Sequence, residues 1–355
     1  MSKLITTLYA DLPLTTSDCS EHQRFIDVRR SGSIVQPMRP ITGVVQHYPW
    51  GTTDEIPRFL GSEPDGQPWA EYWLGTHPHG PSTCDDGSPL SDLAGELPYL
   101  LKLLSADRPL SLQTHPNAEQ AVQGFAEGYF SDPRPKPELL IALSEFTALC
   151  GVRPIAHTIE LLTELGLVQL ANRLSSQGAM SVITDLYRSN IDVSSIVKAC
   201  ASSTTDEAQL VVQLNEMYPN EPSVAVALLL NLVHLKPGEA IHLDAGNLHA
   251  YISGTGIELM ASSNNVVRGG LTSKPIDVDL LLSIVDPTPL ESPTLAGTGS
   301  FDLKGVGIQI SRVNAGEQVT ADIHSLAIRD DGIAFYTAPG ETINSTIGCW
   351  AVLGS

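Results

Sequence analysis

The stretch LPYLLKLLSADRPLSLQTHPN, Leu97–Asn117, holds the strand pattern on which the fold prediction depends. Its first half is an apolar run, and its second half predicts a strand that ends at His115-Pro116. Side chains alternate between the two faces of a strand, so Ser111, Gln113 and His115 share one face. A half-buried strand normally leaves its polar face to water. This polar stripe could therefore be solvated or could face a ligand.

Short β-rich runs separated by Pro/Gly turns lie on both sides of this stretch. Examples are ITGVVQHYPWG and EYWLGT before it, and KPELLIAL and HLKPGEAIHL after it. Between residues 154 and 232 the apolar residues instead recur at helical spacing. Strands on both sides of a helical insertion must pair across long stretches of chain. We therefore predict a mainly β fold, a sandwich or jelly roll, with a helical insertion.

Two local signals refine the element boundaries. Thr204 with Glu207 three residues later has the spacing of a capping box, which predicts the start of a helix. The run Gly254-Thr255-Gly256 predicts a turn that interrupts AYISGTGIELMAS and divides it into two strands.

Changes in sequence texture divide the chain into five predicted parts. These are a poorly ordered extension at 1–40, the first part of a catalytic β domain at 41–153, a helical insertion at 154–232, the second part of the β domain at 233–288 and a C-terminal β domain at 289–355.

Composition limits the classes of partner. The chain has 355 residues, 42% hydrophobic and 17% charged, with a formal net charge of −20. This balance predicts a folded protein that binds neither nucleic acid nor anionic membranes, and no apolar run reaches the roughly 18–20 residues of a membrane helix. Five scattered cysteines and the lack of a signal peptide predict reduced thiols in the cytoplasm. We expect a monomer with a small-molecule substrate.

The segment GEAIHLDAGNLHAY, Gly238–Tyr251, carries a metal signal. The positions of Gly238, Gly246 and His249 follow the second motif of cupin proteins, with Asp244 where proline is usual. In the cupin fold the closing histidine binds a divalent metal. A histidine beside a glycine-rich turn is nevertheless more often a surface or capping residue.

Four side chains form a candidate metal shell. Gln113 and His115 lie at i and i+2 of one strand, Glu138 opens an apolar strand after two prolines, and His249 closes the segment above. Two imidazoles, one carboxylate and one amide oxygen suit zinc and leave room for water or substrate. The alternatives are a solvated strand face and a charge at a strand entry. No spacing rule proves that the four residues meet.

At this point the chain resembles the type I mannose-6-phosphate isomerase (phosphomannose isomerase) family of zinc-dependent cupins. The resemblance runs from Val44 to Val285. It is carried by HYPWG, AEYWLGTHP, LPYLLKLLSADRPLSLQTHPN, KPELLIAL, LKPGEAIHLDAGNLHAY and GIELMASSNNVVRGGLTSKPID, in that order.

The resemblance implies a cupin barrel with an inserted helical domain and a smaller cupin-like C-terminal domain. It also implies one Zn²⁺ per chain and the interconversion of mannose 6-phosphate and fructose 6-phosphate through an enediolate. The implied zinc ligands are Gln113, His115, Glu138 and His249. The implied substrate-pocket residues are Ser111, Lys136, Tyr251, Glu258, Arg268 and Lys274, of which Lys136, Glu258 and Arg268 are the catalytic candidates.

Roles within that pocket remain open at the level of sequence. Glu258 and Lys136 could share the acid–base work, or Glu258 could be the base while Lys136 contacts a substrate oxygen. Arg268 and Lys274 offer two cations, separated by glycines, for a phosphate group.

Two positions depart from the family pattern. Pro135 stands where family members often have a histidine, so this position cannot assist proton transfer. Asn264 replaces the usual aspartate, which removes a carboxylate near Arg268.

Two rival functions follow. One is an iron-dependent oxygenase that uses two histidines and one carboxylate, and the other is a non-catalytic or altered-specificity protein that binds sugar phosphates. Gln113 and the paired cations favour the isomerase, whereas Pro135 and Asn264 keep the binding protein open.

Overall fold

The structure, a computed structural model, describes residues 38–297 and 299–355. Residues 1–37, most of the predicted extension, lie outside this part. Arg39 and Pro40, the last two residues of that predicted extension, belong to the first strand. The division into domains otherwise stays a prediction.

Strands dominate the fold, and the mainly β class with a helical insertion is confirmed. The first strands are β1 (Arg39–Thr42), β2 (Val44–Gln46), β3 (Glu71–Leu74), β4 (Thr83–Cys84), β5 (Tyr99–Ala106), β6 (Leu112–Thr114), β7 (Glu138–Ala142) and β8 (Phe146–Val152). The later strands are β9 (Leu230–Leu235), β10 (Ala240–Leu243), β11 (His249–Ala261), β12 (Val267–Gly270), β13 (Thr294–Leu295), β14 (Ser300–Leu303), β15 (Ile308–Val313), β16 (Gln318–Thr320), β17 (Ser325–Arg329), β18 (Ala334–Thr337), β19 (Thr342–Asn344) and β20 (Cys349–Gly354).

Most helical residues lie between β8 and β9, where periodic apolar side chains cover one face of each helix. The helices are α1 (Glu55–Phe59), α2 (Ser91–Ala94), α3 (Ala118–Ala126), α4 (Ile155–Glu164), α5 (Val168–Tyr187), α6 (Val193–Cys200), α7 (Asp206–Met217), α8 (Pro222–Val226) and α9 (Val278–Ile284), with a 3₁₀ turn at Ala227–Leu229. Within the described residues, no helix combines the length and the apolar character needed to cross a bilayer.

The predicted capping box at the start of α7 is wrong. The helix begins at Asp206, so Thr205 rather than Thr204 precedes it, and the Thr205 side chain does not cap the helix. Its hydroxyl lies 3.2 Å from that of Ser203. Glu207 instead forms an ion pair with the buried Arg153, at 3.1 Å.

Strand β11 is continuous, so the predicted turn at Gly254-Thr255-Gly256 is also wrong. Its first part pairs with β6 and β8, and its second part pairs with β5 and β7. The register is irregular just before Gly254, whose φ is +117°. A Cβ there would lie 2.6 Å from the carbonyl oxygen of Glu145, so glycine permits this close approach. One strand therefore joins the two layers of the barrel.

A second sheet has the strand order β14-β15-β20-β17-β18-β1-β4. The strands β1 and β4, from the N-terminal part of the described chain, thus complete a sheet built mainly from residues beyond 299. Apolar side chains of the two sheets share a core, to which Leu101 and Leu259 contribute from one side and Leu326 and Val352 from the other. This shared core holds the barrel sheet and the second sheet together.

A charged cluster links β10 to the loop after β14. His242 Nδ1 lies 3.0 Å from one oxygen of Asp244, and Lys304 Nζ lies 3.1 Å from the other. The nearby His242 lowers the pKa of Asp244 to about 2, with a further contribution from Lys304. The ionised carboxylate therefore stabilises the folded state above about pH 4, and this contribution is lost as the pH falls from about 4 towards 2.

We expect Asp244→Asn to remove this acid-range contribution. Since the side chain is about half exposed, the difference in unfolding free energy should stay below about 1 kcal/mol. Urea unfolding at pH 5 and pH 3 measures it: the stability gap between wild type and variant should shrink at pH 3. Asp302→Asn, on the exposed side of β14, is the control. An equal gap at both pH values would contradict the assignment.

Candidate metal centre and active site

Three buried side chains meet at the junction of the two barrel layers. His115 follows β6, Glu138 opens β7 and His249 opens β11, and in this register His249 lies opposite Gln113. The Oε2 atom of Glu138 is 3.3 Å from His115 Nε2 and 3.4 Å from His249 Nε2. Among the described residues, these three form the one cluster of His, Cys, Asp or Glu side chains spaced to hold a metal ion.

Both imidazoles are oriented by the main chain. His115 Nδ1 lies 2.8 Å from the carbonyl oxygen of Asn265, and His249 Nδ1 lies 3.0 Å from that of Asn247. A carbonyl oxygen only accepts hydrogen bonds, so each Nδ1 must be the donor, and each Nε2 keeps a free lone pair. Both lone pairs face Glu138, in the arrangement that metal-binding histidines adopt.

The polar atoms at the centre of this cluster lack hydrogen-bond partners. His115 Nε2 and Glu138 Oε2 are fully buried and make no hydrogen bond with any described residue. A buried polar atom without a partner is costly, and a metal ion between these atoms would satisfy them. The donor set therefore fits a divalent metal.

Charge also favours metal binding at neutral pH. Burial alone would raise the pKa of Glu138, but Lys136, 2.8 Å away, and His115 overcome this and hold the pKa well below its usual range. Burial lowers the pKa of His115, against the attraction of Glu138. An ionised carboxylate and neutral imidazoles are the forms that bind a metal.

Gln113 stands beside these three residues. Its side-chain amide nitrogen lies 3.3 Å from His249 Nε2. The two ends of an amide are assigned from hydrogen bonding, and the reverse orientation directs the carbonyl oxygen at the same point. Gln113 thus lies where a fourth ligand would stand.

A cavity of about 540 Å³ opens from this cluster. Eight of the ten predicted site residues line it, and the other two, His115 and His249, contact Glu138 at its floor. The eight are Ser111, Gln113, Lys136, Glu138, Tyr251, Glu258, Arg268 and Lys274.

One wall of the cavity carries a buried charge network that the sequence interpretation missed. Glu258 Oε2 lies 2.7 Å from Lys102 Nζ, and Glu258 Oε1 accepts a hydrogen bond of 2.9 Å from the Tyr251 hydroxyl. Lys102 also lies 3.5 Å from Glu71. Burial would lower the pKa of Lys102, but the carboxylates of Glu258, Glu71 and Glu138 outweigh it and raise the pKa above its ordinary value. Burial, followed by the charge of Glu258, raises the pKa of Tyr251, which therefore stays a donor.

Two cations also line the cavity. Arg268 lies on β12 directly opposite Gln113 of β6, so the register of two strands fixes its place relative to the cluster. Lys274 follows in the next loop and is exposed. Within residues 38–297 and 299–355, no carboxylate lies within ion-pair distance of either cation.

The two departures from the family pattern have distinct surroundings. Pro135 leads into Lys136, and its side chain offers no acid or base. The Oδ1 atom of Asn264 lies 3.1 Å from His77 Nε2, and the main-chain N–H of Asn264 donates to Asp132. Neither Pro135 nor Asn264 lines the cavity described above.

Comparison with known proteins places this geometry in context. A sequence profile described as the catalytic domain of type I phosphomannose isomerase matches residues 38–155. The mannose-6-phosphate isomerase of Bos taurus is 33% identical over 316 residues, which cover 72% of this chain and 75% of the bovine protein. That of Salmonella typhimurium is 31% identical over 347 residues, which cover 85% and 87% of the two chains.

A solved structure agrees with the fold. The crystal structure of mannose 6-phosphate isomerase from Salmonella typhimurium, bound to its substrate fructose 6-phosphate and to zinc, is similar with a TM-score of 0.74 and 26% sequence identity. The match covers 90% of this chain and 99% of the other. Sequence and structure thus point to the same relatives.

Proposed function

Because this chain belongs to the type I phosphomannose isomerase family, we propose that it is a zinc-dependent enzyme that interconverts mannose 6-phosphate and fructose 6-phosphate. The observation that carries the proposal is the cluster of His115, Glu138 and His249. Its lone pairs converge at the floor of a cavity that two cations, Arg268 and Lys274, also line, neither with an ion-pair partner among the described residues. A ligand with sugar oxygens for the metal and a phosphate for the two cations matches this set of side chains.

Zinc suits the floor of the cavity. The residues that would hold it are Gln113, His115, Glu138 and His249, one ion per chain, and two nitrogen and two oxygen donors are ordinary zinc ligands. When bound, the ion would supply positive charge that stabilises the negative charge of an enediolate.

We assign proton transfer to side chains in the cavity wall. Conversion of an aldose to a ketose moves the proton of C2 to C1, while a proton on O2 passes to O1. We assign the carbon proton to Glu258, a buried carboxylate at the cavity surface that Tyr251 and Lys102 hold in place. Lys136 is paired with Glu138, so its ammonium group is better placed to donate to a sugar oxygen than to accept a proton.

The two cations provide the phosphate contacts. We assign Arg268 and Lys274 to the phosphate, with Arg268 also nearest to the reacting end through its pairing with β6. Ser111 lines the same cavity, where its hydroxyl can bind a sugar hydroxyl. Fixed contacts at both ends align the sugar with the acid–base groups.

We further propose that the enzyme is a cytoplasmic monomer with no nucleic acid or membrane partner. The four described cysteines are free thiols, which fits a reducing compartment. The acidic net charge of −20 disfavours polyanions as partners.

A coupled assay tests the activity directly. We expect the purified chain to convert mannose 6-phosphate to fructose 6-phosphate, to lose turnover when a chelator removes the metal, and to regain it when zinc is added. A protein that holds one zinc per chain and shows no turnover in either direction would refute the isomerase. It would favour the sugar-phosphate-binding alternative, in which Pro135 and Asn264 mark lost chemistry.

A further inference from the structure

The loop that follows Arg268 has an unusual backbone. Gly270 has φ +138° and Leu271 has φ +52°. The left-handed region is uncommon for residues other than glycine, and for leucine it persists only where the surroundings enforce it. Leu271 is nearly fully buried and lies in the core of the helical insertion. The insertion therefore fixes the conformation of this loop.

Two side chains of the insertion bind the loop backbone. The hydroxyl of Tyr187, from the last turn of α5, donates to the carbonyl oxygen of Gly269. The carboxylate of Glu221 accepts a 2.9 Å hydrogen bond from the N–H of Leu271. Both contacts fall between Arg268 and Lys274, the two cations that line the cavity.

Glu221 is committed to this contact rather than to its own helix. It stands at the N-cap of α8, yet its side chain does not cap that helix. Its Oε2 atom also accepts a 3.0 Å hydrogen bond from the buried Ser223, whose hydroxyl lies 3.3 Å from the same Leu271 nitrogen. The carboxylate thus organises a small polar cluster that joins the start of α8 to the loop.

Close packing at Gly269 and Gly270 restricts the backbone path of this loop. A Cβ on Gly270 would lie 2.3 Å from the side chain of Ser223, and a Cβ on Gly269 would lie 2.9 Å from the hydroxyl of Tyr187. The two glycines let the loop backbone approach the insertion more closely than any side chain would allow. The hydrogen bonds to Tyr187 and Glu221 depend on that approach.

We propose that Glu221 is a positioning residue for phosphate recognition: through it, the helical insertion holds the backbone between Arg268 and Lys274 so that both cations face one phosphate group. The inference rests on the proposed function for the identity of the substrate. It gives the insertion a role in selecting phosphorylated sugars, although Glu221 itself does not line the cavity.

Three variants of the full-length, zinc-loaded chain test this role. Glu221→Ala removes the acceptor, and we expect it to raise KM for mannose 6-phosphate and Kd for inorganic phosphate about tenfold each, with kcat within about threefold of wild type. Glu221→Gln keeps an oxygen acceptor for Leu271 and should restore both constants to within about threefold of wild type. Glu216→Ala, exposed on α7 of the same insertion, is the matched control.

Calorimetric titration with inorganic phosphate keeps this test separate from the isomerase proposal, because it needs no turnover. Zinc is common to all variants, so differences in phosphate affinity report the loop. Unchanged KM and Kd in Glu221→Ala, or equal losses in the Ala and Gln variants, would overturn the inference. If Glu221→Ala fails to fold, Tyr187→Phe decides: it should weaken phosphate binding in the same direction, and wild-type affinity would overturn the inference.

Discussion

Replacing His249 by alanine should abolish both metal binding and turnover. The imidazole contributes one of the two Nε2 lone pairs that converge on Glu138, and it is almost fully buried, so water cannot easily replace it. We expect zinc affinity to fall at least about 100-fold and kcat/KM to fall about 10³-fold or more, because stabilisation of the enediolate depends on the ion. Metal content by mass spectrometry and competition with a chromophoric chelator measure the first effect.

A second histidine provides the control for this experiment. His234 lies on β9 with its side chain 55% exposed, and His234→Ala should keep one zinc per chain and wild-type activity. If His249→Ala binds zinc with wild-type affinity, the proposed ligand set is wrong. Comparison of melting temperatures with and without zinc distinguishes metal loss from unfolding.

The second large effect is expected from Glu258→Gln. The substitution keeps the shape of the side chain and the hydrogen bond from Tyr251 but removes the group that would carry the proton between C2 and C1. We expect kcat to fall about 10²–10⁴-fold, with zinc content unchanged and KM altered little. Loss of the C2 deuterium of labelled mannose 6-phosphate to solvent should slow by the same factor.

The kinetics of the glutamine variant report the chemistry only if the variant remains folded. Lys102 would lose a charged partner at 2.7 Å but keep Glu71 at 3.5 Å, so unfolding measurements must accompany the kinetics. Glu160→Gln, exposed on α4, is the matched control and should behave as wild type. Wild-type kcat in Glu258→Gln would move the proton-carrier role to another group, with Lys136 the next candidate.

Sequence alone could nominate the candidate metal ligands, because these residues stand at recognisable positions. Gln113 and His115 alternate along a strand, Glu138 stands at a strand entry where packing needs no charge, and His249 closes a glycine-marked segment. What the sequence could not show is that these segments touch. The pairing of His249 with Gln113 depends on a strand register between residues 136 positions apart.

The buried network around Lys102 escaped prediction for a physical reason. Lys102 interrupts an apolar run and gives no periodic signal of its own. Its role becomes visible only when β5 pairs with β11, which places it directly opposite Glu258. A charge in a buried strand is a warning that a partner exists, but the sequence does not name the partner.

Local signals failed where tertiary contacts competed with them. The turn expected at Gly254 is a bend within β11, because the glycine serves a close approach to Glu145 and not a chain reversal. The cap expected at Thr204 does not form, because α7 begins one residue later than the capping box requires and Glu207 pairs with Arg153. In both cases the residue type was informative, whereas its use was decided by distant neighbours.

The sheet that β1 and β4 complete has a consequence for biosynthesis. β1 pairs with β4 on one edge and with β18 on the other, and β18 is not synthesised until the ribosome has passed residue 337. At about 5–20 residues per second, the interval between the synthesis of β1 and that of β18 is on the order of tens of seconds. The strands that carry the proposed zinc ligands are complete by residue 261, while β20, in the middle of the other sheet, comes from residues 349–354. In a nascent chain the strands with the proposed zinc ligands are therefore complete while one edge of β1 is still unpaired. Chaperones or other chains could bind this unpaired edge before β18 does.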